Sequence, residues 1–178
     1  PGEESDFEIE LRLIADAGLI GLPNAGKSSL INVLTNASAK VGSYQFTTLE
    51  PNLGDFYGFI LADIPGLIEG ASEGRGLGDK FLRHIKRTRL LLHCISLENE
   101  SILGVYKTIR AELKAYDPEL LNKQEIIVLT KTDLVDVKKI DKAKKMFEKK
   151  GSKVLTVSVI DDVAIKTFKK ELLALLKG

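Results

Sequence analysis

The feature that most constrains this chain is one segment, Gly21-Leu22-Pro23-Asn24-Ala25-Gly26-Lys27-Ser28, which matches the pattern GxxxxGK[ST]. An apolar, strand-like stretch precedes it, and a helical pattern follows over residues 28–35. A turn in this position directs backbone N–H groups and a helix N-terminus at phosphate oxygens. The segment therefore predicts a phosphate-binding loop in which Lys27 contacts the β and γ phosphates and Ser28 ligates Mg²⁺. The alternative, an ordinary glycine turn with an exposed lysine, does not explain its position between strand and helix.

The rest of the chain alternates apolar runs of strand length with stretches of helical periodicity. This alternation is typical of crossover connections around a mainly parallel sheet, so we predict an α/β fold of about six strands and five helices. One hairpin, formed by 52–56 and 59–64, interrupts the pattern. The other predicted strands are 90–96, 125–129 and 153–157, and the other predicted helices include 102–116, 138–149 and 161–176.

Composition excludes several classes of protein. A chain of 178 residues with 44% hydrophobic residues builds a core without disulfides or a structural metal. Its net charge of +1 is not that of a domain whose main work is neutralising a duplex. The single cysteine, Cys94, excludes a disulfide scaffold, and no apolar stretch has the length of a membrane span. We therefore expect a cytoplasmic protein.

A second motif, Asp63-Ile64-Pro65-Gly66, lies at the end of a predicted strand, where open α/β sheets bind ligands. Asp63 is positioned to hold Mg²⁺ through water, and the Gly66 N–H to contact the γ phosphate. Alone, the motif is equally typical of a strand-end turn. Residues 65–78 contain five glycines, which predicts a mobile loop that loss of the γ phosphate would release.

Between these motifs, the irregular segment Tyr44-Gln45-Phe46-Thr47-Thr48-Leu49 carries two adjacent hydroxyls. One of them is a candidate to complete the metal shell when the γ phosphate is present. The alternative is a strand-entry segment that uses the ordinary β propensity of threonine.

Base recognition is predicted where strand 125–129 leads into Thr130-Lys131-Thr132-Asp133. The Asp133 carboxylate accepts from the ring N–H and the exocyclic amine of guanine together, and adenine leaves it unpaired. The Lys131 stem covers the base face, and Ser158-Val159 supplies a backbone N–H to the guanine carbonyl. A polar helix cap is the alternative for Asp133 and for Ser158.

In this order the motifs resemble those of translational-type GTPases, and the longest similarity is to the Obg family. The matching stretches are LIADAGLIG leading into PNAGKSS, FTTLEPNLG, ADIPGLIEGASEGRGLGDKFLRHIKRTR and TKTD. They cover most of the chain, and residues 63–89 are the most specific. The resemblance implies a Ras-like P-loop fold, with a mostly parallel six-stranded sheet and helices on both faces. It also implies a GTPase that acts in assembly of the large ribosomal subunit and in stress response.

The resemblance implies that residues 1–8 are the tail of a preceding domain or linker and that 9–178 form the G domain. The absence of an initiator Met at Pro1 favours a fragment of a longer protein. The implied partners are GTP, GDP, RNA and protein of the large ribosomal subunit, and a guanine-nucleotide alarmone.

Carried over by motif, the resemblance implies that Lys27, Thr48 and Gly66 take part in catalysis and that Ser28, Thr48 and Asp63 hold Mg²⁺. Thr48 is preferred over Thr47 on the family pattern alone. The implied nucleotide-binding residues are Gly21, Leu22, Pro23, Asn24, Ala25, Gly26, Lys27, Ser28, Phe46, Thr47, Thr48, Leu49, Glu50, Asp63, Ile64, Pro65, Gly66, Thr130, Lys131, Thr132, Asp133, Ser158, Val159 and Ile160.

The sequence departs from the family pattern at two base-binding positions. Thr130 replaces an asparagine that contacts the phosphate loop, and its shorter side chain predicts weaker affinity more than altered specificity. Val159 replaces an alanine and keeps the backbone donor. Leu67 stands where related GTPases often have a water-orienting glutamine, so slow unaided turnover is expected. Asn24 resembles an asparagine that binds K⁺ in some related GTPases, which makes K⁺ a second candidate cofactor.

Two basic stretches are candidate contact surfaces. Residues 80–89 carry five Lys or Arg and no acid, and on a helix Lys80, Arg83 and Arg87 share a face. This face is a candidate contact for ribosomal RNA, although an ordinary solvated face is favoured. Residues 138–150 are also basic but contain Asp141 and Glu148, which is typical of a solvated helix.

Two functional alternatives remain open at this point. The first is a nucleotide-gated ribosome-binding module in which hydrolysis is incidental. The second is an ATPase variant of the same fold, and Asp133 argues against it.

Overall fold

The computed structural model describes residues 15–35, 52–64, 86 and 88–178. The strands are β1 (Ala17–Ile20), β2 (Asn52–Phe56), β3 (Phe59–Asp63), β4 (Leu90–Ser96), β5 (Gln124–Thr130) and β6 (Lys153–Val157). The α-helices are α1 (Lys27–Leu34), α2 (Ile102–Tyr116), α3 (Val137–Glu148) and α4 (Asp162–Lys177). Short 3₁₀ helices cover Pro118–Asn122 and Thr132–Leu134.

The six strands form one sheet in the order β2-β3-β1-β4-β5-β6. Every neighbouring pair is parallel except β2 with β3, which form the predicted hairpin. The α/β fold class is therefore confirmed. The predicted strands and helices that fall on described residues match the observed ones to within one or two residues at most ends. The strand predicted before the glycine turn is β1, Ala17–Ile20.

Helices cover both faces of the sheet, so the central strands are buried along their whole length. Successive side chains of β4 point to opposite faces. Leu92 and Cys94 pack in the cluster that contains residues of α1 and α4. Leu91 packs with α2, and Ile95 packs with α3. As predicted, Cys94 is a free thiol, and it is fully buried.

The parallel strands all end at one edge of the sheet, which brings together the loops after β1, β3, β4, β5 and β6. On the hairpin side, Gly54 lets β2 approach the end of α1. An added Cβ at Gly54 would lie 2.2 Å from Thr35 Cγ2. No helix in the described part of the chain combines the length and the apolar character needed to cross a membrane.

Candidate nucleotide-binding site

The loop between β1 and α1 has the backbone geometry expected of a phosphate-binding loop. Asn24 and Gly26 adopt positive φ angles of 63° and 87°, and Gly21 has φ 151°. A Cβ at Gly21 would lie 2.4 Å from the carbonyl oxygen of Cys94 in β4, so only glycine fits there. The Ala25 N–H donates to the Leu22 carbonyl at 3.1 Å and closes the turn. The predicted loop thus lies between strand and helix.

Lys27 is buried at the start of α1, and its ammonium group points back into the loop. Nζ donates to the carbonyl oxygens of Gly21 at 3.1 Å and Leu22 at 3.2 Å. The positive charge therefore lies within the turn that carries the backbone amides. Phosphates bound by those amides would meet Lys27 without a rearrangement of the backbone.

Ser28 and Asp63 join the start of α1 to the end of β3. Ser28 Oγ donates to Asp63 Oδ2 at 2.5 Å, and Asp63 is only 5% exposed. The other carboxylate oxygen, Asp63 Oδ1, is buried and has no hydrogen-bond partner among the residues that the structure describes. An unpartnered carboxylate oxygen beside a hydroxyl matches the oxygen ligands that Mg²⁺ takes, so these two residues fit the predicted ion. The described residues contain no group of three His, Cys, Asp or Glu able to hold a metal.

Thr130, at the end of β5, connects the base-recognition loop to the phosphate loop. Its Oγ1 donates to the Ala25 carbonyl at 2.7 Å, and the side chain is buried. The shorter threonine side chain therefore still reaches the loop between β1 and α1, and the predicted weaker affinity stays a prediction. A Cβ at Gly26 would lie in ordinary van der Waals contact with the Thr130 side chain, 3.9 Å from Oγ1.

Asp133 and Ser158 come from loops 25 residues apart and meet beside this contact. Ser158 Oγ donates to Asp133 Oδ1 at 2.6 Å and accepts from the Ile160 N–H at 3.4 Å. The helix cap of α4 is Asp161, which accepts from two backbone N–H groups. Ser158 is thus a partner of the Asp133 carboxylate and not a helix cap.

Lys131 has a left-handed backbone with φ 58°, and its ammonium forms an ion pair with Glu98. The hydrogen bond from Lys131 lowers the pKa of the Glu98 carboxyl. Glu98 follows β4 and belongs to no sequence motif, so sequence reasoning missed it. A cavity of about 240 Å³ lies beside the phosphate loop, and its walls include Pro23, Asn24, Ser96, Glu98, Asn99 and Lys131.

The remaining predicted residues divide into two groups. Among the described ones, Ile64 is buried in the core, Thr132 begins a 3₁₀ helix, Val159 packs partly buried against the core, and Ile160 is exposed. The predicted residues that lie outside the described part of the chain are Phe46, Thr47, Thr48, Leu49, Glu50, Pro65 and Gly66.

Most of the basic stretch 80–89 also lies outside the described residues. Of its basic side chains, Lys86 forms an ion pair with Asp117, and the Arg89 guanidinium donates to the Leu176 carbonyl. These two side chains contact other parts of the domain.

Comparison with solved structures shows that the fold of this chain recurs in other proteins. A GDP-bound mutant of NFeoB from S. thermophilus matches with a TM-score of 0.63 and 21% identity, over 89% of this chain and 61% of its own. The G domain of the T. maritima FeoB iron transporter matches with a TM-score of 0.62 and 24% identity, over 91% and 98% respectively. At these identities the likeness concerns the fold alone.

The chain belongs to the family described as 50S ribosome-binding GTPase, whose model matches residues 16–131. It is 49% identical to GTPase Obg of Pelagibacter ubique over 179 residues, which cover 98% of this chain and 55% of the relative. Identity to GTPase Obg of Chlorobaculum tepidum is also 49%, over 97% of this chain and 52% of the relative. The predicted Obg resemblance is confirmed. The chain spans about half the length of these relatives.

Proposed function

We propose that this chain is the GTP-binding and GTP-hydrolysing domain of an Obg-type switch. The observation that carries the proposal is the hydrogen bond from Thr130 Oγ1 to the Ala25 carbonyl. It joins the loop that ends in Asp133 to the phosphate loop, so that one ligand can contact both. A nucleoside phosphate has this shape, with an anionic end and a base edge.

Guanine specificity is proposed to come from Asp133. The hydrogen bond from Ser158 occupies one side of Oδ1 and orients the carboxylate, which leaves acceptor positions for two donors on one base edge. Guanine presents two such donors and adenine does not. The Lys131 stem would cover the base face, and the backbone N–H groups of 158–160 would contact the guanine carbonyl.

Hydrolysis is proposed to depend on positioning and on charge neutralisation. Lys27 would transfer its hydrogen bonds from the loop carbonyls to the β and γ phosphates. Ser28 and Asp63 would hold Mg²⁺ together with Thr48, and Gly66 would contact the γ phosphate. When bound, Mg²⁺ neutralises charge on the phosphate oxygens. Leu67 cannot orient water, so slow intrinsic turnover is expected.

The wider role is proposed from the Obg resemblance. Residues 9–178 would form the G domain, 1–8 would belong to a preceding domain or linker, and the protein would act in the cytoplasm on the large ribosomal subunit. A guanine-nucleotide alarmone would compete for the same site. The second candidate, a nucleotide-gated binding module, shares every described contact and differs only in whether hydrolysis matters.

The test of specificity is calorimetric titration of GTP, GDP, ATP and xanthosine triphosphate, with Mg²⁺, on the unmodified chain and on Asp133→Asn. We expect Asp133→Asn to weaken guanine binding by about 100-fold, because the amide cannot accept from both donors. Xanthosine triphosphate should instead bind more tightly, since its carbonyl faces an acceptor in the unmodified chain and accepts from the new amide. Asp141→Asn, the same change on the exposed face of α3, is the matched control. Absence of heat with both GTP and GDP on the unmodified chain would contradict the proposal.

The test of hydrolysis is a single-turnover measurement with and without purified large ribosomal subunits. Acceleration by the subunits supports a timed switch, whereas equal rates favour the binding module. The same assay in K⁺ and in Na⁺ tests the proposed role of Asn24. Equal rates in the two salts would remove K⁺ from the proposed cofactors.

A further inference from the structure

Four exposed lysines form a continuous row along α3, which we name the lysine stripe: Lys138, Lys142, Lys145 and Lys149. Their spacings of four, three and four residues place them on one face of the helix. This face is opposite to Ala143 and Phe147, the residues of α3 that are buried in the core. At 1.5 Å per residue the stripe is about 16 Å long.

No stripe lysine forms an ion pair within 4.0 Å among the described residues, although Asp141 neighbours Lys138 and Lys145 at spacings of three and four residues. Glu148 contacts Lys144 at 4.0 Å, and Lys144 lies outside the stripe. The acidic residues that made this helix look like an ordinary solvated one, Asp141 and Glu148, therefore lie beside the stripe and not in it.

Lysines at these spacings repel each other, and Asp141 offsets only part of this repulsion. Lys150 and Lys153, both exposed, extend the positive charge beyond the end of α3. A bound polyanion would remove this repulsion and release its own counterions. The charge pattern thus favours a multiply charged anionic partner over solvent alone.

The chemistry of the stripe narrows the partner further. It contains no apolar residue, so it lacks the face with which an amphipathic helix enters a membrane surface. It contains no aromatic side chain on which the bases of a single strand could stack. It also contains no arginine that could recognise a base edge by hydrogen bonds. Flexible lysines alone suit contacts to a phosphate backbone.

We infer that the lysine stripe binds the phosphate backbone of double-stranded RNA without sequence preference. The inference rests on the proposed function, because the large ribosomal subunit is the RNA-containing partner. It adds a surface to that proposal, on the face of the sheet that α2 and α3 cover. Lys138, near the N-terminal end of α3, is the stripe lysine closest in sequence to the base-recognition loop.

The test compares two double charge reversals that change the net charge equally. Lys142→Glu with Lys145→Glu removes the centre of the stripe. Lys166→Glu with Lys170→Glu, on the exposed face of α4, is the matched control, because α4 covers the opposite face of the sheet. Both variants are assayed on an RNA duplex of about 20 base pairs, long enough for a typical duplex-binding domain. Unfolding and GTP affinity are measured alongside.

We expect the stripe variant to bind the duplex at least about tenfold more weakly than the control variant. We also expect its plot of log affinity against log salt to be less steep by about two, as for two lost phosphate contacts. Equal losses in both variants would show an effect of net charge and would overturn the inference. It is also overturned if the unmodified chain fails to bind the duplex, or if the stripe is required for anionic vesicles and not for RNA.

The same variants separate this inference from the proposed function. If the unmodified chain and the stripe variant bind purified large subunits equally well, the lysine stripe is not the contact and the ribosomal proposal stands. If the unmodified chain binds the duplex through the stripe but does not bind large subunits, the ribosomal proposal fails and the stripe remains a site for RNA.

Discussion

The phosphate loop and the base-recognition loops lie at the same edge of the sheet but depend on different parts of the chain. The proposed phosphate loop depends on backbone. Gly21 and Gly26 occupy positions where a side chain clashes or is strained, and Lys27 donates hydrogen bonds to two carbonyl oxygens of the loop. The base side depends on side chains, since Asp133 is oriented by Ser158. Phosphates are common to all nucleotides, whereas a base edge is not.

This difference has a consequence for variants. Changes in the phosphate loop should weaken the binding of all nucleotides alike. Changes on the base side should alter the preference for guanine. Thr130 belongs to both regions, because its side chain contacts the phosphate loop backbone.

Lys27→Ala should reduce the affinity for GTP by at least about 100-fold and abolish measurable hydrolysis, because it removes the only charge that lies inside the loop. The ratio of GTP to xanthosine triphosphate affinity should stay unchanged. Calorimetry and single-turnover hydrolysis measure these effects. Lys144→Ala, on exposed α3, is the control. A variant that binds GTP within about twofold of the unmodified chain would show that Lys27 does not contact the phosphates.

Ser158→Ala should reduce the affinity for guanine nucleotides by about tenfold, because it removes one hydrogen bond to a charged group. The Asp133 carboxylate loses the 2.6 Å contact that orients it. Binding of inorganic triphosphate, which has no base, should not change. Competition against a labelled guanine nucleotide measures both ligands, and Ser152→Ala is the control. An equal loss for inorganic triphosphate would contradict the division into two regions.

The sequence predicted a turn between a strand and a helix correctly, because its pattern combines glycines, a lysine and a hydroxyl at fixed spacing. The parallel sheet was also predictable, since apolar runs such as 90–96 are those of strands covered on both faces. The base side was less predictable. The Thr130 contact depends on how closely two loops approach, and Glu98 pairs with Lys131 across 33 residues without any local pattern.

The lysine stripe shows the same limit in another way. A count of charges over 138–150 combines residues from several faces of α3. In such a count, Asp141 and Glu148 are set against lysines from every face. Only the direction of the buried face, given by Ala143 and Phe147, separates the four lysines from their acidic neighbours. That direction depends on packing against the sheet.

Thr130→Val should increase the dissociation rate of GDP and of xanthosine diphosphate by a similar factor of about five, because the change keeps the shape and removes one hydrogen bond. The increase in the dissociation rate should be equal for the two nucleotides, since Thr130 contacts the phosphate loop and not the base. Stopped-flow displacement measures the rates. Thr130→Ser, which keeps the hydroxyl, should stay near the unmodified value. Faster dissociation of GDP alone would show that Thr130 acts only on the base side.

A third polar cluster, at the opposite edge of the sheet, provides a test of stability without nucleotide binding. Glu125, near the start of β5, accepts from His93 at 2.7 Å and from Arg110 at 2.7 Å. Burial raises the pKa of Glu125, but the hydrogen bonds and charges of His93 and Arg110 outweigh this effect and hold the pKa below its ordinary value of 4.5. Ionised Glu125 therefore stabilises the fold above pH 4.5, and this contribution is lost as the pH falls through the lower native pKa.

Arg110→Met should lower the free energy of unfolding by about 2 kcal/mol at pH 7, since it leaves Glu125 with one charged partner fewer. The difference from the unmodified chain should shrink as the pH falls below 4.5, because protonated Glu125 no longer needs the guanidinium. Urea unfolding at pH 7 and at a pH below 4.5 measures this change. Lys114→Met on the exposed side of α2 is the control. GTP affinity at pH 7 should not change. A loss of GTP affinity would show that the two edges of the sheet are coupled. The difference between the phosphate side and the base side would then depend on residues outside their loops.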